Sequence, residues 1–207
     1  MTTTDTVNLV DIVREAIPFF TQEDAQIAAG YAYRALEMRT GEILTKGMSD
    51  EMLDEFGLFT DKDKDGIEAW YATNHPNYAS DKDYQHLAEA NPDVDQLDLM
   101  AEYGAMVWLR YNRPDYPDVV KQSTDTVVTA LQDAILELGE EAVRAWLGLH
   151  RTAWAWAFNN ADDSDSLMTN IAAILLHENQ EDLRQWAQAQ AVMASLAERA
   201  RILDDNE

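Results

Sequence analysis

Residues 66–78 read GIEAWYATNHPNY, and residues 104–116 read GAMVWLRYNRPDY. The two stretches share Gly, Trp, Asn, Pro and Tyr at identical spacing, 38 residues apart. Five identities at a fixed offset mark a repeated structural unit. The spacing is that of a helix end. Trp70 and Trp108 are expected one turn back, as buried anchors. Asn74 and Asn112 satisfy the last carbonyls or take the left-handed conformation. Pro76 and Pro114 break the helix, and Tyr78 and Tyr116 fold back over the turn. Packing is one reading of these eight residues, and an aromatic groove for a peptide is the other. Trp146 stands a further 38 residues on, with Trp154 eight later. The Gly, Asn and Pro are missing there, so a third copy is doubtful.

Outward from the repeat, helical periodicity extends along nearly the whole chain. Leu9, Ile12, Val13, Ala16 and Ile17 form a first stripe, stopped by Pro18. Thr21 with Asp24 reads as a capping box opening a long helix that Gly47 stops. Ser49 caps DEMLDEFGLF. Ser80 with Asp83 reads as a second capping box, and Asn91-Pro92 as a cap followed by proline at the first helical position. Pro117 opens a helix that ends at Gly139, and three further stripes follow. Alternation of the strand type is absent. The expectation is an all-α protein of about ten helices, a multi-helix bundle or a short stack of helical hairpins. Residues 1–116 form the repeat-bearing region, and residues 117–207 a C-terminal helical region packed on it as a single unit.

The quoted repeat is preceded by ALEMRTGEILTKGMSDEMLDEFGLF, residues 35–59. Together these elements resemble an uncharacterised small helical domain of bacterial proteins. That family carries Leu-x-x-Arg-x-Gly, then a short helix like LSDEQLDEFE, then Trp and a PDY turn. Here the first element is Leu36, Arg39 and Gly41. The resemblance spans residues 8–116, and residues 120–207 have no evident counterpart. It implies a helical fold and a bacterial or phage source. It implies no activity, because the family is a domain of unknown function.

Composition narrows the function classes. The chain has 207 residues, 15 Lys+Arg against 39 Asp+Glu, and a net charge of −24. Its pI is about 4.2. That charge argues against direct contact with nucleic-acid phosphates and with anionic membrane surfaces. With 46% hydrophobic residues the chain is too apolar to be disordered. The lack of cysteine excludes disulfides, thiolate zinc sites and a Cys nucleophile. No apolar run is long enough to span a bilayer. MTTTDTVNLVDIVREAI lacks the basic and cleavage regions of a signal peptide, so a cytoplasmic location is expected.

Several constellations invite a chemical reading. Asp61, Asp63, Asp65 and Gly66 match positions 1, 3, 5 and 6 of a calcium loop. Position 8 is Glu68 rather than an apolar residue, and position 12 is Ala72 rather than a bidentate Glu. The alternative is a solvated acidic turn; the family resemblance implies an acidic interhelical loop with Asp65 as the N-cap of the Trp70 helix. Asp83 and His86 lie three apart on one helix, a ligating spacing. Asp162, Asp163 and Asp165 form an acidic cluster, and with Asp83 and His86 they suggest a metal-dependent all-α hydrolase. His150 lies between Trp146 and Trp154 on one face and reads as a core histidine. The Gly-rich phosphate loop, the Gly-x-Ser-x-Gly elbow and His-Glu-x-x-His are all missing. No enzyme and no cofactor is expected.

The acidic excess is uneven. Residues 50–102 carry 15 acids and three bases, half the net charge on a quarter of the chain. Self-repulsion of that density suggests a surface meant for a basic partner. The residues expected to meet it are Asp50, Glu51, Asp54, Glu55, Glu68, Asp93, Asp95 and Asp98. The expected function is a non-catalytic interaction protein: an adaptor, an immunity protein or an inhibitor, phage- or defence-associated. The alternatives are a DNA mimic that blocks a nucleic-acid-binding protein, calcium binding through Asp61–Gly66, and the hydrolase. Oligomeric state is left open.

Overall fold

The computed structural model describes residues 8–159 and 180–205, with side chains for 8–151 and 184–204. The protein is all-α. The described residues form α1 (Leu9–Ala16), α2 (Gln22–Thr45), α3 (Asp50–Thr60), α4 (Lys64–Asn74), a 3₁₀ turn (Tyr78–Ser80), α5 (Lys82–Ala90), α6 (Gln96–Asn112), α7 (Tyr116–Leu138), α8 (Glu140–Asn159), α9 (Gln180–Ala194) and α10 (Leu196–Asp205). No strand occurs among them.

Prolines set the helix ends. Ile17, His75, Asn91 and Arg113 each precede a proline and each is a helix C-cap. Their φ values are −131°, −149°, −129° and −135°. A proline ring clashes with the preceding residue in the α region and pushes it to extended φ. Three of these ends add an asparagine amide that reaches back four residues. Asn74 Nδ2 donates to Trp70 O at 3.1 Å, Asn91 to Leu87 O at 2.9 Å, and Asn112 to Trp108 O at 3.0 Å. Asn91 therefore ends α5, where the sequence suggested that it opens the next helix. The cap of α6 is Asp95, whose side chain accepts from Leu97 N. Two other caps shift by a residue or two. Asp81 rather than Ser80 caps α5, and Asp63 rather than Asp65 caps α4. The α2 cap is reciprocal as a capping box requires: Asp24 N donates to Thr21 Oγ1, and Thr21 N to Asp24 Oδ2. Gly47 and Gly139, both at positive φ, follow α2 and α7.

The described chain divides into two units, Met1–Thr40 with Lys121–Glu207, and Gly41–Val120. The sequence reading takes residues 1–116 and 117–207 as two regions of a single unit. Both boundaries fall inside long helices, α2 and α7, where no change of composition marks them.

In the first unit α2 supplies a face of alanines, with Ala25, Ala28 and Ala32 fully buried. Small side chains leave room for the bulk of Leu131, Trp146, Leu147, Met193 and Leu196, all in the same core. Several polar groups inside it are paired. Gln190 Oε1 accepts from Tyr31 Oη and from Trp146 Nε1, each at 3.0 Å. Asp24 pairs with Arg151, and Arg39 with Asp204.

The second unit has its own core, dominated by aromatic rings from α3, α4 and α6. Here α6 runs antiparallel to α3. Asp98 meets Lys62, Gly104 meets Phe59, and Trp108 meets Glu55. A Cβ on Gly104 would overlap the Phe59 ring, and one on Gly66 would lie 2.6 Å from Leu58 Cδ2. The glycines of both repeat copies thus let α4 and α6 close onto the same helix, α3.

Candidate functional site

The two repeat tryptophans converge on one carboxylate. Trp70 Nε1 donates to Glu55 Oε1 at 2.9 Å, and Trp108 Nε1 to Glu55 Oε2 at 2.8 Å. Trp70 is 7% exposed and Trp108 is fully buried. These rings form no open groove for a peptide. Tyr78 stacks on Tyr71 at 4.1 Å between centroids, and Tyr116 is half-buried against the same core. Pro76 and Pro114 are exposed at the turns. The repeat is a grip on α3 from two sides. The sequence showed the gripping residues and did not show what they hold.

Of the eight acids expected to face a partner, Glu55 is thus turned inward to the indoles. Asp98 is half-buried and pairs with Lys62 Nζ at 2.7 Å. Asp95 is exposed and occupied as a cap. Asp50, Glu51, Asp54, Glu68 and Asp93 are exposed, and none has an ion-pair partner among the described residues. Glu51 is held below the usual carboxylate range by the Ser49 hydroxyl and by its own backbone N–H. On α3, Asp50, Asp54 and Asp61 lie within about 40° of one another around the axis, at 100° per residue. That stripe points away from the indole side.

The calcium-loop reading fails on geometry. Asp61 is the C-cap of α3, Asp63 the N-cap of α4, and Asp65 already lies in the first turn of α4. A calcium loop keeps its early ligands on irregular backbone that wraps the ion. Here the turn is closed by its own backbone instead. Asp63 N donates to Leu58 O at 2.9 Å and Lys62 N to Phe59 O at 3.3 Å, with Lys62 at φ 55°. That is a Schellman end with lysine in the glycine position. Among the described residues no three His, Asp or Glu side chains converge to hold an ion.

Of the residues in the hydrolase reading, Asp83 and His86 are described. Asp83 pairs with Arg110 Nη2 at 2.9 Å, and His86 is exposed. Asp162, Asp163, Asp165 and His177 lie outside the described residues, as does the Trp154 side chain. His150 is 2% exposed, with Nε2 at 3.3 Å from Gln190 Oε1. Burial pushes its pKa down, partly offset by Gln190. The buried imidazole is therefore harder to protonate than a free one.

A pH dependence follows. An unfolded histidine titrates near pH ~6.5. Below that the unfolded chain takes up a proton that buried His150 refuses, so stability falls with pH until the folded pKa is reached. The limiting slope is about 1.4 kcal/mol per pH unit. Urea unfolding at stepped pH should show wild type losing up to about 1 kcal/mol more than His150→Gln between pH ~6.5 and ~5.5. Parallel profiles would mean that His150 titrates alike in both states.

Comparison with curated proteins gave no match, and comparison with solved structures gave none. The model of the family described as "Protein of unknown function (DUF5663)" matches residues 15–131. That span holds Arg39, the acidic α3 helix and both copies of the Trp repeat. It begins later than the resemblance read from the sequence and runs on into α7. Covering more than half of the 207 residues, it shows that the chain belongs to this family.

Proposed function

We propose that this chain is a non-catalytic, acid-rich helical protein that binds a basic protein partner through the outward stripe of α3. The observation that carries the reading is the two-sidedness of α3. Its inner side is fixed by two indoles and two close glycine contacts. Its outer side carries Asp50, Asp54 and Asp61 in the open, with Glu51 beside them. Asp50 in the first turn suits the helix dipole, whereas Asp54 at i+4 from it and Asp61 at the C-terminal end have no ion-pair partner among the described residues. A fixed backbone beneath exposed carboxylates suits docking to Lys and Arg, with strong dependence on salt. The absence of cysteine and the acidic pI fit a cytoplasmic bacterial or phage protein, acting as adaptor, immunity protein or inhibitor.

Pull-down from the host lysate at low and high salt tests this. A specific basic protein should be recovered at low salt, released at high salt, and lost with the triple variant Asp50→Asn/Asp54→Asn/Asp61→Asn. If that partner binds nucleic acid, duplex DNA should compete for it. Recovery of no specific partner at any salt, or undiminished capture by the triple variant, overturns the reading.

A further inference from the structure

We propose that a cleft between the start of α1 and the middle of α2 binds a small arylalkyl ammonium ion, its ring on Gly30 and its charge toward Glu37. The cleft lies within the first unit and measures about 630 Å³. Small-molecule sites usually span about 300–1,000 Å³. Asn8 and Leu9 stand on one side. Gln26, Ala29, Gly30 and Tyr33 form the other, at the i, i+3, i+4, i+7 spacing of one helix face. The lining is mostly apolar. Gly30 sets its depth. A Cβ there would meet nothing within 4 Å, and its φ is not positive, so neither packing nor backbone conformation calls for glycine. Glycine weakens a helix interior. What it does at this position is keep the floor of the cleft bare, beside a Tyr33 ring that is 56% exposed.

Charge selects the ligand. No lysine or arginine lines the cleft. Glu37 follows Gly30 by seven residues, which places it within about 20° of Gly30 around the axis, on the Tyr33 side. Helical side chains tilt toward the N-terminus, so the Glu37 carboxylate leans back over Tyr33 and Gly30. Glu37 is exposed and has no ion-pair partner among the described residues. Arg34 falls on the opposite flank of Gly30, toward Tyr31. At the α1 end, Asp11 accepts from Asn8 Nδ2 and pairs with Arg14 at 3.2 Å, so its charge is already met. A ligand ammonium thus gains from Glu37 and from the face of the Tyr33 ring, within a chain of net charge −24. A ligand carboxylate would meet Glu37 instead, and a second copy of the chain would bring the same sign of charge.

The test is titration of the full-length protein with tryptamine, followed by amide NMR shifts. Tryptamine should saturate a single site and shift the amides of Gly30 and Tyr33. Indole-3-acetate, the same ring with the opposite charge, should bind about tenfold more weakly or worse. Gly30→Leu fills the floor and should weaken tryptamine by about tenfold or more. The same variant should raise the thermal midpoint, because leucine favours helix over glycine, and that rise separates lost binding from lost fold. Glu37→Gln should weaken binding about two- to fivefold. Gly41→Leu, on the same helix and also with open space around it, should leave binding unchanged. No tryptamine binding overturns the proposal, as does binding unchanged in Gly30→Leu or matched by indole-3-acetate. A dimer in sedimentation that Gly30→Leu dissolves also overturns it, since a second copy would then be the occupant. So does tryptamine binding that requires removal of residues 1–7, which would make the chain's own N-terminus the occupant.

Discussion

Glu55→Ala should destabilise the Gly41–Val120 unit by about 3–4 kcal/mol. Each buried donor stripped of its acceptor costs about 1–3 kcal/mol, and Glu55 serves two, the indoles of Trp70 and Trp108. Neither indole can turn to water, because the rings are 7% and 0% exposed. Glu55→Gln should cost less, about 1–2 kcal/mol, since the amide keeps one acceptor oxygen and turns an NH2 toward the other indole. Glu51→Ala, one turn away and exposed, should shift stability by less than about 0.5 kcal/mol. Urea unfolding followed by tryptophan fluorescence separates these values. Equal effects for Glu55→Ala and Glu51→Ala would mean that the carboxylate does not tie the two helices together.

That prediction also marks what was legible in the sequence. Glycine, tryptophan, asparagine and proline at matched spacing announced two like helix ends, because those devices act within one turn. The amide of Asn74 reaching Trp70 O is such a local event. The convergence on Glu55 was hidden, because the partner lies 15 residues from one indole and 53 from the other. Nothing in the string distinguishes Glu55 from Asp54, although one is bound inside and the other faces solvent. Periodicity could not separate them either, since a carboxylate on an inward face looks like a flaw in the pattern. Gln190 is hidden in the same way. It interrupts an apolar stripe, and it is there to accept from Tyr31 and Trp146. Cap positions slipped where acids crowd together, at Asp63 against Asp65 and at Asp81 against Ser80, because several side chains in a row are competent caps.

A second large effect is expected at Arg39, where the two ends of an ion pair differ. Arg39 of the Leu-x-x-Arg-x-Gly element is 5% exposed, and its guanidinium bonds Asp204 through both terminal nitrogens, Nη2 to Oδ1 at 2.6 Å. Thr126 Oγ1 stands further off, at 3.5 Å from Nη2. Asp204, 34% exposed on its side chain, is near enough to solvent to remain hydrated alone. Asp204→Ala should therefore destabilise the unit formed by Met1–Thr40 and Lys121–Glu207 by about 3 kcal/mol, at the low end for breaking a buried pair. Arg39→Met keeps the stem packed and removes the charge that cannot be hydrated, so it should cost about 1 kcal/mol or less. The double variant should lie close to Arg39→Met alone, because the aspartate matters only while the arginine is charged. Arg39 lies inside the family match of residues 15–131, and Asp204 lies outside it. The same holds for Asp24 and Arg151, and for Tyr31 and Gln190. The C-terminal helices thus neutralise and cover the family-matched part of α2. If Arg39→Met destabilises as much as Asp204→Ala in urea unfolding, the buried cation is not what the aspartate is there to balance.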